Sequence, residues 1–288
     1  MILLADSGST KCDWVLVEKN GRQIDAFKTM GFNPFFHTSA RIGEEIRTHS
    51  GLVKIANKVK AIYYYGAGCS REAQKGVVEQ ALTAVFPSAA IVVEHDMKAA
   101  VFATWQGEAC ISCILGTGSN AAFFDGQTLR SKNAGIGYIL GDEGSGTYFG
   151  KKLLAAYLYG QLPDEAARDL EMEYGVDRAG IFEHVYEKPH ANIYLSGFTP
   201  FIAKYKDLPL FEAILYDGMK SFLQIHVCAF EGFENVKTHF VGSIAFHFQS
   251  SLRRAAADLH VQVGQIIQAP IENLLGYHVR YLFPALSE

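Results

Sequence analysis

The amino-acid sequence predicts an α/β protein made of two related lobes. The chain has 288 residues, which is more than a single hydrophobic core usually organises. A pattern of apolar strand, glycine-rich turn, strand, tight hairpin and strand occurs at residues 2–29 and again from residue 110. Helical and strand patterns follow each copy. A duplicated unit of this kind favours two α/β lobes, each with its own core.

In the first copy, Asn20-Gly21 marks the hairpin between strands predicted at 12–18 and 22–29. Helical and apolar patterns then predict helices at 39–57, 70–86 and 97–105, and strands at 60–66 and 90–95. The second copy has its hairpin at Asp125-Gly126 and is followed by helical segments at about 145–160, 163–174, 177–187, 192–205 and 209–230. We therefore expect an N-terminal lobe of residues 1–106 with a closing helix at 270–286, and a C-terminal lobe of residues 107–269 with a helical insert.

Composition excludes several classes of protein. The net charge is −4 and no basic cluster occurs, which argues against nucleic acid as a partner. No apolar stretch is long enough to cross a membrane, and the first residues lack the pattern of a signal peptide. The five cysteines are an odd number, and Cys110 and Cys113 lie in an apolar strand pattern. We expect free thiols, and therefore a cytoplasmic protein.

The first segment that suggests chemistry follows the first strand and contains Asp6, Gly8, Ser9, Thr10 and Lys11. Small residues let backbone N–H groups approach phosphate oxygens, and hydroxyl groups add donors. Asp6 is a candidate ligand of Mg²⁺, which prefers carboxylate and phosphate oxygens. A polar hairpin turn is the alternative for this short motif.

A second segment of the same chemistry follows the strand at 110–115 and contains Gly116, Thr117, Gly118, Ser119 and Asn120. Two such loops at corresponding places of a duplicated lobe suggest two phosphate clamps, one from each side of a cleft. A third segment, Gly242-Ser243, lies between a strand and a helix. There a glycine admits a flat ligand against the backbone, although the motif taken alone favours an ordinary strand-to-helix turn.

Two further segments carry acidic residues. Asp96 follows the strand at 90–95, where ligands bind in α/β sheets, and its carboxylate is a candidate general base. His95 is the rival base, and capping of the next helix is the structural alternative for Asp96. Gly135, Gly137 and Asp142 lie in a glycine-rich stretch that suits a polar ligand, and Asp142 is also a candidate helix cap. The sequence lacks the phosphate-binding motif of P-loop NTPases and the glycine motif of dinucleotide-binding proteins.

The order DSGSTK, HDMKAA, LGTGSNA, GDEGS and VGSIA resembles the N-acetylglucosamine kinases within the BadF/BadG/BcrA/BcrD-type ATPase family. That family belongs to the actin, Hsc70 and sugar kinase superfold. The resemblance covers nearly the whole chain and is most specific between Asp96 and Gly150. It implies two ribonuclease-H-like (actin-like ATPase) lobes with a central cleft that binds ATP and a sugar. The segment VGSIA departs from the double glycine expected for adenosine binding.

The resemblance also implies roles for individual residues. Asp96 matches the catalytic aspartate, and Asn33 matches an asparagine that contacts the sugar. The ATP-binding segments are matched by Gly8, Ser9, Thr10, Lys11, Gly116, Thr117, Gly118, Ser119, Gly242 and Ser243. The sugar-side segment is matched by Asn120, Gly135, Gly137 and Asp142.

The expected reaction is phosphorylation of the 6-hydroxyl of N-acetylglucosamine or a related amino sugar, with ATP and Mg²⁺. The sugar stays open among amino sugars, including N-acetylmuramic acid, and a homodimer is an open alternative to a monomer. One rival is an activator ATPase that couples ATP hydrolysis to electron transfer in a partner reductase. Such proteins bridge two subunits with an iron–sulfur cluster and need surface cysteines. A non-catalytic sugar sensor is the second rival.

Overall fold

A computed structural model describes residues 1–133 and 135–284 of the chain. The chain divides into two compact units. The first contains Met1–Gly107 and a second stretch that begins at Ala269, and the second contains Glu108–Gln268. Each unit is built around one five-stranded mixed sheet.

The two sheets have the same topology. In the first unit the strand order is β3-β2-β1-β4-β5, and in the second it is β8-β7-β6-β9-β10. In both, three strands joined by hairpins pair antiparallel and two further strands add in parallel. The strands are β1 (Ile2–Ser7), β2 (Lys11–Val17), β3 (Gln23–Met30), β4 (Ala61–Gly66), β5 (Ala90–His95), β6 (Cys110–Leu115), β7 (Ser119–Phe124), β8 (Leu129–Arg130), β9 (Lys237–Val241) and β10 (Gln262–Ile267).

Helices connect the parallel strands and cover the sheets. They are α1 (Ser39–Thr48), α2 (Ser50–Ile55), α3 (Glu72–Val85), α4 (Asp96–Thr104), α5 (Gly137–Leu140), α6 (Gly146–Leu158), α7 (Asp164–Tyr174), α8 (Arg178–Phe182), α9 (Ala191–Ser196), α10 (Thr199–Tyr205), α11 (Pro209–Phe222), α12 (Ser243–His247), α13 (Gln249–Asp258) and α14 (Ile271–Tyr277). Wider π-helical turns extend α8, α11 and α14 over Glu183–Glu187, Leu223–Val227 and His278–Leu282, and a 3₁₀ turn covers Phe233–Asn235.

Two predicted helices are each divided in the structure. The helix expected at 39–57 breaks at His49, whose extended backbone and Nδ1 cap the next helix. The helix expected at 192–205 breaks at Gly197 between α9 and α10. The closing helix begins at Ile271, and residues 285–286 of the predicted 270–286 segment lie outside the described residues.

Apolar side chains from both faces of each sheet form separate cores. The core of the first unit includes Trp14, Ile62 and Tyr64, and that of the second includes Ile111, Phe149 and Phe240. Central strands with continuous apolar runs are expected in sheets covered on both faces. The rigid sheets therefore hold the polar loops at the ends of β1, β5, β6 and β9 in fixed places.

The closing helix α14 packs against α4. The Tyr277 ring stacks on Phe102 with centroids 4.1 Å apart, and Asn273 Nδ2 donates a hydrogen bond to the Ala103 carbonyl oxygen at 3.1 Å. This packing anchors the last turn of the helix that begins at the candidate catalytic residue, Asp96. In residues 1–133 and 135–284 no helix has the length and apolar character needed to span a membrane.

Candidate active site

The first glycine-rich loop, Gly8–Lys11, joins β1 to β2. The Gly8 N–H donates to the Lys11 carbonyl oxygen at 2.9 Å and closes the turn. Ser9 is half-buried, and Thr10 and Lys11 are exposed. The loop therefore places backbone and hydroxyl groups at the end of the central strand, and its role as a phosphate-binding turn stays a prediction.

Three carboxylates gather beside this loop. Asp6 and Asp13 are direct cross-strand neighbours in the β1–β2 ladder, so their side chains lie on the same face of the sheet. Burial raises the pKa of Asp6 to about 7, and the negative charges of Asp96 and Asp13 add to the rise, while Lys11 opposes it. The structure thus concentrates negative charge at the residue that we expected to bind Mg²⁺.

Asp13 is a site residue that the sequence patterns missed. It is buried, with an exposed fraction of 7%, and its Oδ2 accepts a hydrogen bond from Lys11 Nζ at 2.9 Å. Lys28 Nζ lies 3.8 Å from the other carboxylate oxygen. The signal was present in the sequence, because a single aspartate interrupts the apolar run of β2 and buried carboxylates need a partner.

Asp96 is the first residue of α4, directly after β5. His95 is the N-cap, and its Nδ1 accepts a hydrogen bond from the Met97 N–H at 3.3 Å. The structural alternative, in which Asp96 caps the helix, is therefore wrong: His95 provides that bond. Asp96 Oδ1 lies 3.2 Å from His95 Nδ1 and accepts no hydrogen bond from the described residues. A buried carboxylate oxygen without a donor is available to a substrate hydroxyl.

The second glycine-rich loop, Gly116–Gly118, joins β6 to β7. The Gly116 N–H donates to the Gly118 carbonyl oxygen at 3.0 Å. The beginning of α6 fastens the loop, because the Gly146 N–H donates to the Gly116 carbonyl at 2.8 Å and the Thr147 N–H to the Thr117 carbonyl at 3.1 Å. These backbone hydrogen bonds hold the loop in shape.

Gly242 packs directly on the end of β6. Its backbone has φ +123°, and a Cβ atom there would lie 2.2 Å from the Leu115 carbonyl oxygen and 3.3 Å from the Gly116 nitrogen. The Gly242 N–H donates to the Ile267 carbonyl oxygen at 2.9 Å, and Ser243 begins α12. The structure thus brings the third glycine segment against the second loop, and only glycine fits at this position.

Asp142 also lies against the second loop. A Cβ atom on Gly118 would be 3.1 Å from Asp142 Oδ2, and the Ser119 N–H donates a hydrogen bond to the Asp142 carboxylate. Asp142 has φ +58°, a left-handed conformation that is strained for a residue other than glycine. Burial raises its pKa to about 6. The alternative role of Asp142 as a helix cap is wrong, since Ser145 Oγ caps α6 through the Tyr148 N–H.

Glu143 and Lys151 lie close enough to Asp142 to affect its pKa, and His226 lies beside Glu143; the sequence patterns did not indicate Lys151 or His226. The Lys151 ammonium donates to the Tyr138 carbonyl oxygen, and its charge lowers the pKa of Asp142 against the larger effect of burial. His226 Nε2 lies 3.6 Å from Glu143 Oε2, and burial lowers the pKa of this histidine. His226 comes from a distant π-helical turn, so no local pattern could have linked it to Glu143.

The remaining predicted sugar-side residues have looser surroundings. Asn120 is half-buried, and its Oδ1 accepts from the Ala121 N–H at 2.9 Å. Gly135 and Gly137 are exposed, and Gly137 has φ +78° at the start of α5. Asn33 is half-buried in the first unit, and its Oδ1 accepts from the Phe35 N–H at 3.0 Å. A Cβ atom on Gly135 or Gly137 would meet no atom within 4 Å.

Cys110 and Cys113 are buried, as the sequence indicated. All five cysteines are free, four are buried, and Cys228 is partly buried. No group of three or more histidine, cysteine, aspartate or glutamate side chains in the described part of the chain is arranged to hold a metal ion by itself.

Comparison with solved structures identifies the family. A candidate N-acetylglucosamine kinase from Porphyromonas gingivalis is 36% identical in sequence, with a TM-score of 0.91, and the match covers 98% of this chain and 99% of that one. The chain belongs to the N-acetylglucosamine kinase-like family of sugar kinases. Its two five-stranded sheets are those of the actin-like ATPase fold, as predicted.

Two more distant solved structures share the fold. A candidate N-acetylglucosamine kinase from Chromobacterium violaceum is 15% identical with a TM-score of 0.70, over 96% of this chain and 98% of that one. A ROK family glucokinase from Streptomyces griseus, in complex with glucose and AMPPNP, is 15% identical with a TM-score of 0.54, over 96% and 97%. Neither a protein-family model nor a curated protein matches the chain.

Proposed function

We propose that this sugar kinase transfers the γ-phosphoryl group of ATP to the 6-hydroxyl of N-acetylglucosamine or a closely related amino sugar. The observation that supports it best is the carboxylate of Asp96, which is held at the end of β5 with one buried oxygen that accepts no hydrogen bond from the described residues. Its neighbour Asp6 lies close enough for the charge of Asp96 to raise the pKa of Asp6.

In this proposal Asp96 accepts the proton of the attacking hydroxyl. A general base must lie within hydrogen-bonding distance of the proton that it removes, and the unpartnered Oδ1 is suited to that contact. His95 is a weaker candidate because its Nδ1 already accepts the helix-capping N–H of Met97. The proton therefore moves from the sugar oxygen to Asp96 as the bond to phosphorus forms.

The two glycine-rich loops would bind the phosphates of ATP. Each offers backbone N–H groups and hydroxyls at the end of a central strand, which are suitable donors to phosphate oxygens. Gly242 would leave the backbone open beside the second loop for the nucleoside. Asn33 in the first unit and Asp142 in the second offer an amide and a carboxylate for sugar hydroxyls.

The carboxylates beside the first loop suit Mg²⁺. Asp6 and Asp13 face each other across β1 and β2, and their repulsion contributes to the raised pKa of Asp6. A divalent cation would relieve that repulsion, and Asp6 is the residue that would hold it, directly or through water. When bound, the ion supplies charge neutralisation for the transferring phosphate.

N-acetylglucosamine is the first sugar to test because the relative from Porphyromonas gingivalis carries that name as a candidate and shares 36% of its residues with this chain. The electron-transfer alternative has no support. None of the structures reported above is a reductase activator, and the cysteines of the chain are buried or partly buried. An exposed cluster would require cysteines at the surface.

The decisive experiment measures ADP release with Mg-ATP in the presence of N-acetylglucosamine, N-acetylmannosamine, N-acetylmuramic acid, glucosamine, glucose or no sugar. We expect strong release with one N-acetyl sugar and little without sugar. Phosphate on the 6-hydroxyl, located by NMR of the product, would complete the assignment. Equal ADP release with every sugar and without sugar would contradict the proposal.

A further inference from the structure

The segment that carries Asn33 is fastened to the first loop by contacts that no sequence pattern indicated. The Gly31 N–H donates to the Thr10 carbonyl oxygen at 3.0 Å. The Phe32 N–H donates to Ser7 Oγ, also at 3.0 Å. Ser7 is fully buried at the end of β1, one residue before the loop. The asparagine segment, Gly31–His37, is therefore bonded once to the first loop and once to the residue that precedes the loop.

The two segments also touch directly through their backbones. A Cβ atom on Gly31 would lie 2.2 Å from the Gly8 carbonyl oxygen and 2.7 Å from both the Ser9 carbonyl carbon and the Thr10 nitrogen. Real Cβ atoms do not approach backbone atoms so closely, so only glycine fits at position 31, and its backbone packs directly against Gly8–Thr10.

Phe32 is held on its other side as well. Its exposed fraction is 1%, and its carbonyl oxygen accepts a hydrogen bond from Tyr64 Oη at 3.4 Å. Tyr64 is fully buried in β4, the strand beside β1. Both backbone polar groups of Phe32 thus bond to buried side chains of the central strands.

Asn33 follows this fixed residue and begins a tight turn. Its carbonyl oxygen accepts from the Phe36 N–H at 2.9 Å and the His37 N–H at 3.0 Å, and its Oδ1 accepts from the Phe35 N–H. A change in the position of the first loop is therefore transmitted over two residues to the amide group of Asn33.

We propose that Ser7 and Gly31 are positioning residues that couple nucleotide binding at the first loop to sugar binding at Asn33. The inference rests on the proposed function, in which the loop holds ATP phosphate and Asn33 holds the sugar. Nucleotide that fixes Gly8–Thr10 also fixes Gly31 and Phe32, so Asn33 is ordered before the sugar arrives. By thermodynamic reciprocity, sugar must then strengthen nucleotide binding by the same factor.

The test measures sugar dissociation constants by calorimetry, with and without AMPPNP and Mg²⁺, using the sugar that supports ADP release or, failing that, N-acetylglucosamine. For the wild type we expect the nucleotide analogue to tighten sugar binding about tenfold, within the usual range of allosteric coupling. The coupling ratio is the sugar dissociation constant without the analogue divided by the constant with it. Ser7→Ala removes the acceptor for the Phe32 N–H, and we expect its coupling ratio to fall to within about twofold of one.

Ser112→Ala is the matched control. Ser112 is another fully buried serine of a central strand, β6, and is not part of the proposed binding machinery. Its coupling ratio should equal that of the wild type. A wild-type ratio of one, or a full ratio in a folded Ser7→Ala protein, would overturn the inference. If Ser7→Ala does not fold, Ser7→Cys retains a weaker acceptor of similar size, and an intermediate ratio is expected; a full ratio would again overturn the inference.

A second readout separates this inference from the proposed function. If no sugar binds, the proposed function fails, but hydrogen exchange still tests the coupling. Nucleotide analogue alone should slow backbone exchange of residues 31–37 in the wild type and not in Ser7→Ala. Unchanged exchange of 31–37 in a wild type that binds the analogue would overturn the inference.

Discussion

In the first unit the central strand β1 ends among three carboxylates, whereas the equivalent strand β6 of the second unit ends beside an uncharged loop. The strand pairs correspond closely. Asp6 faces Asp13 in the β1–β2 ladder, and Ile114 faces Asn120 one pair before the end of the β6–β7 ladder. The same topology therefore supports a charged loop in one unit and a neutral backbone cradle in the other.

The difference extends to the strands beside them. β5 leads into Asp96, while β10, which has the same place in the second sheet, leads into Gln268. The acidic residue of the second unit, Asp142, comes instead from the turn before α6. The duplicated fold therefore supplies a glycine-rich loop in each unit. The two units differ chiefly in the side chains at the ends of a few strands.

The largest effect should follow the removal of charge from the first unit. Asp96→Asn keeps the size of the side chain but cannot accept the hydroxyl proton, so turnover should fall by about two to four orders of magnitude. The ATP dissociation constant should stay within about threefold of the wild type, because the proposed mechanism assigns phosphate binding to the loops and not to Asp96. Steady-state kinetics and calorimetry check both values, and near-normal turnover would mean that another group is the base.

In the second unit, a substitution that disturbs the backbone should reduce stability more than one that removes a charge. Gly242→Ala places a methyl group against the Leu115 carbonyl oxygen in a disfavoured conformation, and should lower the free energy of unfolding by about 3 kcal/mol. Urea unfolding measures this loss.

Gly116→Ala is the control for Gly242→Ala. Gly116 has open space around its Cβ position, so the free energy of unfolding should change by about 0.5 kcal/mol or less. Equal losses for the two variants would show that Gly242 does not have the close contact described here.

Asp6→Asn should make the protein more stable at alkaline pH. The pKa of Asp6 rises from 3.8 to about 7 on folding, so the folded state holds the proton more tightly and stability falls as pH increases from about 4 to 7. Removing the charge should raise the free energy of unfolding by about 2 kcal/mol at pH 8, a figure reduced to allow for the partial exposure of the side chain. At pH 3 the free energy of unfolding should not change. Urea unfolding at both pH values measures the difference.

Asp142→Asn in the second unit is the comparison for Asp6→Asn. The pKa of Asp142 rises only to about 6, so the gain in stability at pH 8 should be smaller. A larger gain for Asp142→Asn than for Asp6→Asn would contradict the concentration of repulsive charge in the first unit.

The smallest effect should be on the pH dependence of stability, and it concerns one buried histidine in each unit. His278 in the first and His239 in the second are buried, and burial lowers the pKa of each to about 4. Because the unfolded chain binds these protons more readily, stability is lost as pH falls from about 6.5 to 4, by roughly 1 kcal/mol per histidine at pH 5.5.

Replacement of either histidine should reduce this loss. His278→Gln should flatten the decline in unfolding free energy between pH 7 and 5, and so should His239→Gln. An unchanged slope in one variant would mean that this histidine is protonated in the folded state as easily as in the unfolded chain.

Sequence patterns predicted the parts of the site that repeat or follow a strand. The duplicated hairpins indicated both glycine-rich loops, and the apolar strand before Asp96 placed that residue at a sheet edge. Asp13 could have been found as the single acidic residue of β2, beside an otherwise apolar run. The contact between Glu143 and His226 could not have been predicted. The two residues are 83 positions apart and meet only through the packing of the π-helical turn Leu223–Val227.

By itself the sequence determined the fold class, the two sheets and the order of the loops, because apolar periodicity and turn residues are local properties. Only the tertiary structure decided which carboxylates share a site and how far their pKa values move, because those depend on burial and on distances between strands. It also decided that Gly31 lies against Gly8 and that Ser7 bonds to Phe32, since these contacts join segments separated by a complete hairpin.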